Sequence, residues 1–166
     1  MQNARVLVFV DGANIMAQAQ DFSRRPNFRT LIDSCVGHNF LVDAYVYLPL
    51  PHTNGEGVLR FHDHLRSMGL QVVAKRAKML PDGTTKCDMD MELGMDAMEL
   101  CQDIKPDMMV LASGDGDFAP LIQRIRRRGI VTAVASCHGS LANELRLVSQ
   151  NFVDLTKWRE SQKENQ

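Results

Sequence analysis

Several things are scarce in this sequence, and each scarcity closes a class of function. The formal net charge is −1, from 19 Lys and Arg against 20 Asp and Glu. No global positive field therefore draws in nucleic acid or anionic lipid, and a polyanion must be met by a local patch or through metal ions. Aromatic residues are 6% of the chain, too few for an extended base-stacking platform. No stretch approaches the roughly 18 apolar residues of a membrane span, so no membrane partner is expected. In the opening "MQNARVLVFVDG" the apolar run is short and Asp11 interrupts it, which does not fit a signal peptide. Cys35, Cys87, Cys101 and Cys137 form no C-x-x-C pair, which argues against a zinc knuckle or a disulfide framework. A reduced, cytoplasmic protein is expected. Internal repeats, low-complexity tracts and linkers are absent as well. The 166 residues fit a single domain over residues 1–155, followed by a polar C-terminal tail over 156–166.

What is present is an alternation of strand and helix patterns. "ARVLVFV" (4–10), "FLVDAYVYLPL" (40–50), "LQVVAKRA" (70–77), "DMMVLAS" (107–113) and "IVTAVAS" (130–136) predict strands. Helical patterns fall at 27–37, 58–69, 87–103, 118–129 and 140–150, two of them ending at Gly69 and Gly129 as helix ends favour. "DGAN" after the first strand reads as a turn, "KMLPDGTT" contains a hairpin tip, and "FVDL" (152–155) is a short final extended piece. Alternation of this kind gives an α/β three-layer, Rossmann-like sandwich with a mostly parallel central sheet of about five strands. Ligands of such sheets bind beyond the carboxyl ends of the strands, where strand order reverses.

Acidic residues gather at those ends. Asp11 follows the first strand, and "SGDGDF" puts Asp115 and Asp117 after the fourth. Asp117 also suits the N-cap of the helix starting near Phe118. A third acidic segment, "KCDMDMELGMDAM", opens the helix of residues 88–103. Glu92, Asp96, Glu99 and Asp103 follow a helical spacing and read as a solvated stripe. Asp90 falls about 120° from Asp96 at roughly 100° per residue. It shares a face with Leu93, Gly94, Ala97 and Cys101, where the small Gly94 and Ala97 would let the helix approach the sheet, and Asp88 is placed to cap it. Helix geometry alone ranks Asp90 above Asp96. Convergent carboxylates without equal numbers of cations suit hard divalent ions, Mg²⁺ or Mn²⁺, and the chemistry that needs such ions is phosphoryl transfer.

Taken together, "VFVDGANI", "KCDMDMELGMDAM" and "LASGDGDFAPLI" resemble the NYN domains, in particular the LabA-like branch with the PIN-like nuclease fold. The resemblance covers about residues 4–155. It implies a metal-dependent nuclease, usually acting on RNA, with single-stranded RNA as the leading substrate, DNA not excluded, and a homodimer left open. It carries Asp11 and Asn14 onto the motif after the first strand, Asp90 and Asp96 onto acidic positions of the middle helix, and Asp115 and Asp117 onto the fourth-strand motif. It raises Asp96 above its rank by helix geometry. Asp90 and Asp96 lie about 9 Å apart along a helix axis, so either each serves its own ion or only one reaches a metal. Cys87 stands where the family carries a glycine, which unsettles the register of Lys86.

As a nuclease, the chain would hold metal with Asp11, Asp90 or Asp96, and Asp115. Asp117 would support the site, and Asn14 would position a phosphate or water. Ser113, Lys86, Arg126 and Arg127 are candidate phosphate contacts, although cations at a helix C-terminus also suit its dipole. Arg24, Arg25, Arg29, Arg60, Lys75, Arg76 and Lys78 could add a basic rim. Two other functions fit the same acids: a nucleic-acid-binding or regulatory module that does not turn over, and an aspartate-nucleophile phosphatase.

Overall fold

The apolar runs become the interior of a parallel sheet. In the computed structural model, which describes residues 3–19, 25–52 and 55–164, the first half of the chain forms β1 (Arg5–Asp11), α1 (Gly12–Gln18), α2 (Phe28–Val36), β2 (Phe40–Leu50), α3 (Glu56–Ser67) and β3 (Gln71–Arg76). A small hairpin of β4 (Lys78–Met79) and β5 (Thr85–Lys86) leads into α4 (Asp90–Ile104), β6 (Met108–Ala112) and α5 (Ala119–Arg127). The chain then runs through β7 (Val131–Ser136), α6 (Asn143–Val148), β8 (Asn151–Asp154) and α7 (Thr156–Glu164). Strand order is β3-β2-β1-β6-β7-β8, and every neighbouring pair in this six-stranded sheet is parallel. The sixth strand is the "FVDL" piece, recruited as an edge strand beside β7.

β1 shows why the sheet is covered on both faces. Its side chains alternate: Val6, Val8 and Val10 pack with Ile15, Leu31, Leu65 and Trp158, from α1, α2, α3 and α7. Leu7 and Phe9 pack on the other face with Leu93, Ala97, Leu121 and Leu145, from α4, α5 and α6. α3 and α5 are closed by Gly69 at φ 82° and Gly129 at φ 79°, the left-handed conformation that glycine adopts without strain.

Three segments differ from the sequence expectation. "DGAN" is the start of a helix, because the Asp11 carboxylate accepts from the Asn14 N–H at 3.2 Å and caps α1 directly at the strand end. The pattern at 140–150 contracts to the six-residue α6. Residues 156–164, expected within a polar tail, form α7. Its composition is polar, but Trp158 is buried and its indole N–H donates to the Asn27 carbonyl at 3.2 Å and the Thr30 hydroxyl at 3.1 Å. One amphipathic aromatic thus ties α7 to the start of α2.

Candidate metal centre

The sheet order reverses between β1 and β6. Their register pairs Val10 with Ala112, so Asp11 and Ser113 follow on adjacent strands. Ser113 is fully buried. Its hydroxyl donates to Asp11 Oδ2 at 3.0 Å and accepts from the Asp115 N–H at 3.1 Å. Asn14 accepts at Oδ1 from the Gly114 N–H at 2.9 Å and from Gln18 Nε2 at 2.7 Å. A backbone N–H can only donate, so this contact fixes which way the Asn14 amide points. The Gln18 Oε1 accepts in turn from the Cys137 N–H at 2.9 Å. β1, α1, β6 and the end of β7 are thereby laced together beneath the acids.

The glycine of "SGDGD" is a requirement of space. A Cβ on Gly114 would lie 1.9 Å from the Ser140 carbonyl oxygen. The next residue, Asp115, accepts from the Asp117 N–H at 3.0 Å and caps the single 3₁₀ turn of residues 116–118. Asp115 thus caps the turn before α5, α5 itself has no side-chain cap, and Asp117, expected as that cap, is exposed and lines the cleft instead.

Asp90 arrives from the opposite wall, in the first turn of α4, where its N–H donates to Asp88 Oδ1 at 2.9 Å. One carboxylate oxygen from each of Asp11, Asp90 and Asp115 lies within 4.8 Å of the other two. They share a cleft of about 350 Å³ with Asn14, Asp88 and Asp117, and among the described residues lining it there is no Lys, Arg or His. Burial pushes the Asp90 carboxyl up to about 6, reinforced by the charges of Asp88, Asp11, Asp115 and Asp117. Burial also raises Asp11; the bonds from Asn14 and Ser113 oppose that shift, and the charges of Asp115 and Asp88 add to it. Crowded like charges hold protons more tightly for want of a cation.

Asp96 stands outside this group. Its Oδ2 accepts from the Tyr47 hydroxyl at 2.8 Å. Tyr47 lines the cleft, and its phenol is pushed up by burial and by Asp96. The Glu92 carboxylate, one turn earlier, pairs with Lys75 at 2.5 Å. The supposedly solvated stripe is therefore tied to β2 and β3 at its first two positions. Leu93, Ala97 and Cys101 are buried as their spacing requires, but Gly94 makes no close approach, with nothing within 4 Å of where its Cβ would be.

The candidate cations are spread more widely. Lys86 is exposed on β5, two residues before Asp88, and faces Lys78 across the hairpin. Arg126 and Arg127 are exposed at the far end of α5, about 12 Å of helix from its start, and Arg126 donates to the Val148 carbonyl at 2.8 Å. Arg25 lies over the Phe61 ring at 4.5 Å, while Arg29 and Arg60 pair with Asp33 and Glu56. Arg76 donates to the carbonyls of Pro51 and His52, and Arg24 falls outside the described residues.

Two residues of the site escape a reading of the sequence. Gln18 follows Asn14 by one helical turn, a signal available only once α1 is recognised. Tyr47 is placed by its register opposite Asp11 on β2, which no local pattern contains.

The four cysteines are free thiols, and among the described residues no helix is long and apolar enough to cross a membrane.

Comparison with known proteins agrees with this architecture. Low amplitude and bright protein LabA of Synechococcus elongatus is 27% identical over 175 residues, covering 94% of this chain and 86% of that protein. The crystal structure of a protein of unknown function from Vibrio parahaemolyticus matches with a TM-score of 0.79 at 25% identity, covering 95% of this chain and 96% of the other. The family model described as NYN domain spans residues 5–156. With all six sheet strands inside all but the margins of that span and three aspartates meeting where the sheet reverses, the chain belongs to the NYN domain family.

Proposed function

We propose that the chain hydrolyses phosphodiester bonds of RNA with a divalent ion, Mg²⁺ or Mn²⁺, held by Asp11, Asp90 and Asp115. The observation that carries this reading is the meeting of three carboxylates within 4.8 Å in a cleft lined by no cationic side chain among the described residues. Hard oxygen donors without a counter-charge fit a hard cation. NYN domains are generally nuclease-like, and the choice of RNA rests on that kinship. Bound there, the ion supplies charge stabilisation to a phosphoryl group undergoing displacement.

The chain's own residues have separate tasks in this reading. Ser113 sits too deep to meet substrate. Its hydroxyl holds the Asp11 carboxylate and the Asp115 backbone at once, so it positions both acids. Asn14 has its amide oxygen occupied and turns its NH₂ to a substrate oxygen. Asp88 and Asp117, both exposed at the rim, hold solvent beside the three central acids. Asp96 acts through Tyr47, whose hydroxyl it fixes at the wall of the cleft. Lys86, on the hairpin that leads into this wall, meets a phosphate outside the centre. Arg126 and Arg127 belong to the far end of α5 and have no part in this reading.

The test is cleavage of single-stranded RNA, structured RNA and DNA by purified protein in Mn²⁺ or Mg²⁺. RNA should be cut, and chelator should stop the reaction. Asp11→Asn and Asp115→Asn should each lose turnover by on the order of a hundredfold or more, above the roughly 10–100-fold typical of an outer partner of a metal ligand, while RNA binding survives. Wild-type rates in Asp115→Asn would sink the mechanism. Saturable RNA binding with no cleavage under any metal would make the chain a binding module.

A further inference from the structure

α4 serves two surfaces. Asp90 reaches the acidic cleft, but the next residue, Met91, faces a groove of about 950 Å³ between α4 and α5. Toward the N-terminal ends of the two helices the groove is apolar, with Met91, Met95 and Leu121. Met91 is 73% and Met95 65% exposed, an unusual outlay of large apolar side chains to water. Toward the C-terminal ends the walls carry opposite charges: Glu99 and Asp103 on α4, Arg124 on α5 and Arg128 just past its end. None of these four takes part in an ion pair among the described residues. Arg124 and Arg128 donate only to the backbone carbonyls of Pro120 and Met98. Both helices return the chain to the start of a parallel strand on the same sheet face, so they run in the same direction.

We propose that this groove is the face through which two copies of the chain pair, about a two-fold axis running along it. Such an axis lays α4 of one copy over α5 of the other with the helices parallel, and it makes every contact occur twice. The apolar end then meets the apolar end. The acidic wall of each α4 meets the basic wall of the partner α5. This self-complementarity of charge along with apolar surface singles out a second copy over a partner of uniform charge, which would be repelled by one wall. Because Asp90 opens α4 and Asp115 precedes α5, the parallel arrangement turns both acidic clefts toward the same side of the dimer.

Molecular mass measured by sedimentation or light scattering tests the pairing without reference to nuclease activity. The full chain should pass from monomer, at 18.7 kDa, to dimer with rising concentration. Met95→Glu, at an exposed position that folding does not need, should weaken the dimer by about tenfold or more. A chain carrying Glu99→Arg with Asp103→Arg, and another carrying Arg124→Glu with Arg128→Glu, should each self-associate poorly. Mixed, they should form a heterodimer, because walls of opposite sign then meet at both contacts. A wild type that stays monomeric, a dimer indifferent to Met95→Glu, or a mixture without heterodimer would each overturn the proposal.

Discussion

The acidic cleft and the α4–α5 groove lie on two sides of one helix, and Asp90 and Met91 point into them about 100° apart. The cleft is the smaller, about 350 Å³ against about 950 Å³. Its charges have one sign, and two of them are held from behind by hydrogen bonds: Asp11 by the Ser113 hydroxyl and Asp115 by the Asp117 N–H of its turn, while Asp90 is held only through its backbone, by the like-charged Asp88. The groove has both signs, exposed methionines and little support beneath them. Volume therefore does not mark the place where the acids meet. Rigidly held like charges are costly unless something outside the chain neutralises them, whereas flexible methionine and balanced charge adapt to a large surface.

Glycines give the sharpest way to break this contrast. Gly114→Ala drives a methyl into the Ser140 carbonyl, and neither side of that contact is a flexible side chain. A loss of about 3 kcal/mol or more is expected, seen as a melting temperature roughly 6–12 °C lower. An unchanged melt would mean that the loop over the cleft is looser than its hydrogen bonds imply.

A smaller effect follows from the Asp90 proton. In chelator, the folded chain holds that proton up to about pH 6, whereas the unfolded chain releases it near 3.8. Over that window the native state binds more protons, so stability falls as pH rises from about 4 to 6. Asp90→Asn should flatten this part of the curve and melt a few degrees higher than wild type at neutral pH. Mn²⁺ should reverse the order: at a hundred times its dissociation constant it stabilises wild type by about 2.7 kcal/mol, or roughly 5–10 °C, and Asp90→Asn by less. Thermal melts across pH, with chelator and with Mn²⁺, read both effects. Parallel curves for the two proteins would remove Asp90 from the centre.

The smallest effect lies in the groove. Gly94 has open space where its Cβ would stand, so Gly94→Ala gains helix propensity of up to about 1 kcal/mol. Measured in the Met95→Glu background, where pairing of copies does not enter, the melting temperature should rise by about 2–4 °C. A fall would show that α4 packs more closely there than its surroundings indicate.

The sheet was legible because its central strands are nearly continuous apolar runs, and the acids at their ends could be placed by the switch-point rule alone. Helix geometry also separated Asp90 from Asp96 correctly in direction, about 120° apart, and the two do face different partners: the acidic group for Asp90, Tyr47 for Asp96. What escaped was non-local or disguised. α1 hid behind a glycine that reads as a turn but fits under the Tyr47 carbonyl and Leu48, 2.4 Å from where a Cβ would be. The solvated stripe failed because Lys75 and Tyr47, on strands far off in sequence, reach two of its acids. α7 hid because a single tryptophan anchors an otherwise polar helix.

Asp11 ends a strand, caps a helix and presents a carboxylate to the cleft. The first two tasks need only a short side chain with an oxygen, and asparagine caps helices as well as aspartate does. Architecture and the charge of the cleft are thus separable at this position. A single-base change in its codon, from Asp to Asn, would leave a descendant with the same scaffold and one charge fewer in the cleft.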